Sequence, residues 1–169
     1  MKIIWYPAVS LDGYIADDQG QSDWVTSDDA GMFDDLVQQS KAVIVGRKTF
    51  DQFKGELYPV TGATTYVITN NTKRASDDPA VVYVAGGALE VMRSLSADGR
   101  TQAVLSGGGE INGLFAAANL IDEAWVSVYP LILGSGTKLM GSYAGRLRLS
   151  FRQGYALPHG VVHNRYDVG

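Results

Sequence analysis

Three glycines in a row, Gly107-Gly108-Gly109, separate the run Ala103-Val104-Leu105-Ser106 from Glu110-Ile111. A strand entering a helix through such a turn leaves backbone N–H groups unpaired at the positive end of the helix dipole, which is the chemistry of a phosphate cradle. The same glycines also suit plain helix–strand packing, so the motif gains meaning only from its neighbours. Composition closes off other chemistries. The chain has no Cys, which excludes disulfides, thiolate nucleophiles and Cys-ligated metals; two imidazoles, His159 and His163, are too few for a His-rich metal site. A net charge of -4 argues against non-specific nucleic-acid binding, which needs a basic surface. An anionic cofactor remains compatible, because a few local cations suffice for it.

The elements that must position these residues follow from periodicity. Lys2 to Val9 reads as a buried strand ended by the turn Ser10-Leu11-Asp12-Gly13, and a loop runs on through Asp17-Asp18-Gln19-Gly20. Ser27 suits a helix N-cap, with Asp28 and Asp29 in the first turn and Met32, Phe33, Leu36 and Val37 on the inner face. Ala42 to Val45 is a continuous apolar strand ending at Gly46, before a short helix over Arg47 to Phe53. Further strands are expected at Thr64 to Thr69, Val81 to Val84, Gln102 to Leu105 and Ala124 to Tyr129, with helices at Ala88 to Leu95 and Ile111 to Ala118. Arg146 to Ala156 and Val161 to Val168 form a hairpin around Pro158-His159-Gly160.

Strands alternating with helices predict an α/β fold, a mostly parallel sheet covered on both faces, with the terminal hairpin antiparallel at its edge. At 169 residues, 46% hydrophobic and 19% charged, a single domain spanning 1–169 is expected. Met1-Lys2-Ile3-Ile4-Trp5 breaks at Pro7, too short for a signal-peptide core, and no apolar run reaches membrane-spanning length, so a soluble cytoplasmic protein is the expectation. Ligands of open α/β sheets lie beyond the carboxyl ends of the strands. The polar or glycine-rich junctions Ser10–Gly13, Gly46–Thr49, Thr69–Asn71 and Gly107–Gly109 all fall at such ends.

Four segments in order resemble the dihydrofolate reductase-like superfamily: Ser10-Leu11-Asp12-Gly13-Tyr14-Ile15-Ala16, Val45-Gly46-Arg47-Lys48-Thr49-Phe50, Val67-Ile68-Thr69-Asn70, and Gly107-Gly108-Gly109-Glu110 running on to Leu120-Ile121-Asp122-Glu123. Pro130-Leu131-Ile132-Leu133-Gly134-Ser135-Gly136 is similar to the branch that includes the riboflavin-biosynthesis reductase domain. The resemblance implies the three-layer fold of that superfamily and NADPH as cofactor. It implies that Gly46, Arg47, Lys48 and Thr49 meet the phosphates, that Thr69 and Asn70 contact the 2′-phosphate, and that Gly107, Gly108, Gly109, Glu110 and Ile111 form the pyrophosphate turn. Ala8 and Ile15 match positions lining the nicotinamide. Each also has a plainer reading, as surface cations, capping hydroxyls or core.

The resemblance further implies hydride transfer to a small planar heterocycle, a pterin or a pyrimidine. The superfamily's carboxylate, a few residues after a Trp, falls on Asp29 after Trp24, with Asp28 as the alternative; an acid there also simply stabilises the helix. Tyr6, Trp24, Phe33, Phe53 and Ser127 fall on the substrate side, and no metal is implied. Three departures stand out. The Arg that holds the folate tail falls at Ala63, Glu110 occupies a position often held by a cation, and the first-strand Lys of riboflavin-type reductases is replaced by Tyr6-Pro7. A ribosylamino-pyrimidine acceptor, as in riboflavin synthesis, and a non-catalytic nucleotide-binding module are the alternatives. A homodimer is implied as well, for which Trp125, Tyr129 and Phe151 could form the interface or instead belong to the core.

Overall fold

A computed structural model describes residues 1–169. In chain order the strands are β1 (Lys2–Trp5), β2 (Ala8–Ser10), β3 (Tyr14–Ala16), β4 (Ala42–Gly46), β5 (Thr64–Thr69), β6 (Val81–Ala85), β7 (Gln102–Gly107), β8 (Glu123–Tyr129), β9 (Thr137–Lys138), β10 (Leu149–Ala156) and β11 (Val162–Val168). The helices are α1 (Ser27–Ser40), α2 (Arg47–Gln52), α3 (Ala88–Ala97) and α4 (Gly109–Ala117). The main sheet runs β10-β11-β8-β1-β7-β4-β5-β6, with β2 pairing with β8. Every pair from β8 to β6 is parallel, whereas β11 joins β8 antiparallel and β10 closes that edge as a hairpin.

The apolar runs explain the centre. All five residues of β4 are buried, as expected of a parallel strand covered on both faces. One face packs Val91 and Leu95 of α3 and Phe115 and Ala116 of α4 against Ile44, Tyr66 and Leu105. The other packs Phe33, Leu36 and Val37 of α1 and Phe50 of α2 against Val43, Val45 and Val104. Ala63, aligned above with the missing folate-tail Arg, belongs to this second core.

Four expectations need correction. The first strand is not continuous: Tyr6-Pro7 interrupts it, since Pro has no N–H for the ladder, and β2 shifts onto β8. Thr26, not Ser27, caps α1, its hydroxyl facing the Asp29 N–H at 3.5 Å. Helix α4 begins at Gly109 with Gly108 as N-cap, so β7 and α4 meet inside the glycine turn. The stretch after Gly13 is not all loop, because β3 pairs with β9 in a separate two-stranded ribbon.

That ribbon explains the Ser10–Gly13 motif. Ser10 Oγ donates to Asp12 (2.7 Å) and accepts the Tyr14 N–H (2.9 Å), while Asp12 accepts the N–H groups of Leu133 (3.1 Å) and Gly134 (2.7 Å). The Ser10 hydrogen bond and these N–H groups hold the Asp12 carboxyl below its ordinary pKa. The polar side chains of this motif are therefore spent on tying the loop after β8 to the loop after β2.

Candidate functional site

A cavity of about 1110 Å³ runs along the carboxyl ends of β1, β4, β5 and β7. Ligand pockets are commonly about 300–1,000 Å³, so this one has room for two molecules side by side. Three of the four junctions singled out in the sequence contribute side chains or backbone to its wall: Gly46–Thr49, Thr69–Asn71 and the 106–112 turn. Ala8 and Ile15 line it too, as do Tyr6, Asp29, Phe33 and Phe53 on the α1 side.

The helix ends are open to ligand. Gly46 and Gly108 are the N-caps of α2 and α4 and offer no side-chain cap, so the first N–H groups of these helices have no partner from a capping side chain. Gly46 is required for packing, because a Cβ there would lie 2.7 Å from Ile111 Cγ1. A Cβ at Gly108 would approach Thr49 Oγ1 at 3.1 Å, narrowing the gap between the two helix starts. Gly109 has a different reason: its Cβ would overlap the Lys138 carbonyl oxygen, so it seats the 138–141 segment on α4 instead of admitting a ligand.

Charge in the wall is unevenly placed. Arg47 and Lys48 stand at the start of α2, and Arg47 pairs with Asp51 one turn on at 3.1 Å. Arg74 reaches the same Asp51 and lies 4.5 Å over the Tyr83 ring. These guanidinium partners hold the Asp51 carboxyl below its usual range. Glu110 does line the cavity, but its carboxylate accepts the Ser142 hydroxyl at 2.7 Å and is thereby engaged by the 141–142 turn.

The α1 side is built around Asp29, 1% exposed. Its Oδ1 accepts the Tyr6 and Ser127 hydroxyls, each at 2.7 Å, and its Oδ2 accepts the Tyr129 hydroxyl at 2.8 Å. Burial, then the Asp29 charge, raises the Tyr6 phenol well above its ordinary pKa; burial pushes Tyr129 up to about 12. The network continues inward, since Ser127 Oγ is 2.8 Å from His163 Nδ1. With the Ser127 hydrogen on Asp29, His163 must donate Nδ1–H, which leaves Nε2 an unprotonated, buried nitrogen without a partner. Burial, with Arg165 adding to it and Asp29 opposing, lowers His163 to about 4.

Three expected site residues lie outside the cavity wall. Trp24 sets its ring edge against Tyr129 at 4.9 Å, Ser127 is fully buried behind Asp29, and Gly107 serves the exit of β7 with φ at 107°. Asp28 is exposed, whereas Asp29 faces inward. Of the aromatics weighed for a dimer, Tyr129 is buried in the Asp29 network, Trp125 lies under the Arg165 guanidinium at 3.6 Å, and Phe151 is exposed on β10.

Other lining residues escaped the sequence. Tyr58 and Ser106 share a 2.6 Å hydrogen bond, and burial pushes Tyr58 up to about 12. Asn112 donates to the Leu139 carbonyl at 2.8 Å while its buried Oδ1 has no partner. Leu57 and Thr137 join them from segments to which the sequence assigned no element. His163, behind the wall, had a legible signal: with buried Val161 two residues earlier, alternation points it inward.

Residues 1–163 match the RibD C-terminal domain. The chain belongs to that family. The uncharacterized Bacillus subtilis protein YwjB is 31% identical over 157 residues, covering 89% of each chain. A second uncharacterized B. subtilis protein, YyaP, is 27% identical over 98% of this chain and 94% of its own. A provisionally assigned riboflavin biosynthesis protein of Shewanella sp. PV-4 superposes with a TM-score of 0.84 at 26% identity, covering 100% of this chain and 99% of the other. The Thermotoga maritima deaminase/5-amino-6-(5-phosphoribosylamino)uracil reductase shares the fold, with a TM-score of 0.78 at 17% identity. This chain covers only 56% of that longer one. No helix is long and apolar enough to cross a membrane.

Proposed function

We propose that this RibD C-terminal domain protein is an NADPH-dependent reductase of a small planar nitrogen heterocycle, a pterin or a pyrimidine being the favoured class. The observation that carries the reading is one cavity, wide enough for two ligands, in which two uncapped helix starts and the Arg47–Lys48 pair occupy one part and Asp29 with Tyr6 the other. The residues suit the cofactor. Gly108 keeps the gap beside Thr49 open, Arg47, Lys48, Thr69 and Asn70 offer cations and donors to phosphate, and Ala8 and Ile15 supply apolar wall for the nicotinamide. Glu110, whose charge would oppose phosphate, is engaged by Ser142.

When bound, NADPH would supply a hydride to the carbon of a C=N bond while a solvent proton goes to the nitrogen, so the ring gains two hydrogens and the nicotinamide is oxidised. The protein's part is orientation and exclusion of water. Phe33, Phe53 and Leu57 provide flat apolar surface for a ring. Asp29 holds the Tyr6 O–H by accepting it, which leaves the Tyr6 oxygen as a hydrogen-bond acceptor for the N–H edge that pterins and pyrimidines carry. NADPH titration followed by nicotinamide fluorescence tests the cofactor half; the expected result is saturation, and no saturable change at millimolar cofactor counts against it. Loss of nicotinamide absorbance with a panel of pterins and pyrimidines tests turnover.

One observation favours a second reading, binding without turnover. All three hydroxyls around Asp29 already donate to it, so none of the three stands ready as a dedicated acid. Saturable NADPH binding with no oxidation across the panel is the outcome that selects it.

A further inference from the structure

Of the ionisable side chains in the cavity wall other than tyrosines, Arg47, Lys48 and Glu110 belong to the starts of α2 and α4, and Asp29 alone belongs to the α1 side. The α1 side is otherwise apolar or neutral: Pro7, Val25, Ala30, Phe33, Phe53 and Leu57. Lys54, next to Phe53 in the chain, does not line the cavity; its ammonium lies 5.9 Å from the centre of the Phe50 ring, whose residue is fully buried. An anionic group entering beside Phe33 and Leu57 would thus meet a carboxylate and no countercharge. Leaving an anion unpaired in a partly closed apolar site is costly, and a like charge nearby adds to that cost.

We infer that the α1 side of this cavity selects acceptors without charge: a planar nitrogen heterocycle with a short neutral substituent, carrying neither a phosphate ester nor a carboxylate tail. The inference rests on the reductase reading above and narrows it. Asp29 accepts the Tyr6 O–H, so what the Tyr6 oxygen and the Asp29 carboxylate have left to offer a ligand is acceptor capacity. They suit the N–H and NH₂ edge of a neutral ring and are unsuited to an anion. In this molecule the cations are kept for the cofactor, and the acceptor is recognised by shape and by its N–H edge.

The test uses two pairs of acceptors that share a ring and differ in tail: dihydrobiopterin against dihydrofolate, and a ribitylamino-pyrimidine against its phosphate ester. Binding to the NADP⁺-loaded protein is measured by calorimetry, and NADPH oxidation is followed alongside. The expected result is affinity at least tenfold higher for the neutral member of each pair. Leu57→Arg, which places a cation on the α1 side, should narrow that gap by tightening the tailed members. Equal or tighter binding of dihydrofolate or the phosphate ester to the parent protein overturns the inference, as does failure of all four compounds to bind a protein that binds NADPH. Absence of NADPH binding overturns the reductase reading and this inference together, so the two failures are told apart.

Discussion

Replacing Asp29 by Asn should unlock a buried junction, well beyond the removal of one charge. The carboxylate accepts three hydroxyls, Tyr6 and Ser127 on Oδ1 and Tyr129 on Oδ2. An amide keeps one oxygen. With that oxygen toward Tyr6 and Ser127, the Tyr129 O–H meets an N–H group, and the Tyr129 oxygen already accepts the Thr26 N–H at 3.0 Å. Hydrogen bonds to charged groups contribute about 1.5–3 kcal/mol each against about 1 kcal/mol for neutral ones, so losing one and neutralising two comes to roughly 2.5–7 kcal/mol. For a chain of this size each kcal/mol moves the midpoint by about 2–4 °C, so a fall of roughly 5–28 °C is expected. Asp28→Asn is the control, since exposed Asp28 touches only the α1 dipole and its loss costs about 0.3–1 kcal/mol. Thermal and urea melts read the stability difference, and NADPH fluorescence reads cofactor affinity, which should change little in either variant. With an acceptor in hand, Asp29→Asn should lower turnover at least tenfold and Asp28→Asn should not. Stability of Asp29→Asn within about 0.5 kcal/mol of the parent, or equal activity of the two variants, would refute the reasoning.

Adjacent glycines should separate by role. Gly108→Ala, whose Cβ comes 3.1 Å from Thr49 Oγ1 in the cavity, should weaken NADPH binding at small cost in stability; Gly109→Ala, which meets the Lys138 carbonyl, should cost roughly 1–3 kcal/mol in a melt. The pH dependence of stability should carry the His163 signature. Its folded pKa, about 4, lies below its ordinary 6.5, so between these values the unfolded chain binds the extra proton. The contribution is complete above pH 6.5 and is lost as pH falls through about 4, and His163→Gln should flatten the melting temperature across that window. An unchanged slope in the variant would show that other groups set it.

The parallel sheet could be read from the chain because buried strands are continuous apolar runs, as at Ala42 to Val45, and their spacing with helical stretches left few topologies. The part of the cavity at the starts of α2 and α4 was legible for a related reason. Strand ends in such a sheet point the same way, so Gly46–Thr49, Thr69–Asn70 and the glycine turn could be expected to converge. The substrate side was legible only in part. Asp29 and Phe33 lie on one helix at helical spacing and could be paired; Tyr58 and Leu57 belong to a segment without periodicity, whose place depends on what it packs against. Trp24 and Ser127 showed the opposite failure, since side chains suited to a ligand were taken up by Tyr129 and by the Asp29–His163 network.

Local residue pattern therefore determined the elements, their order, the absence of thiol chemistry and the direction in which a ligand would lie. Tertiary structure alone decided which glycine faces Thr49 across the gap and which faces a carbonyl. It also decided that Glu110 is engaged by Ser142 and that Asp29, Ser127 and His163, up to 134 positions apart along the chain, share one chain of protons. The physical reason is range. Propensity and periodicity act over a few residues, whereas a buried polar atom is satisfied by whatever donor the fold brings within about 3 Å of it.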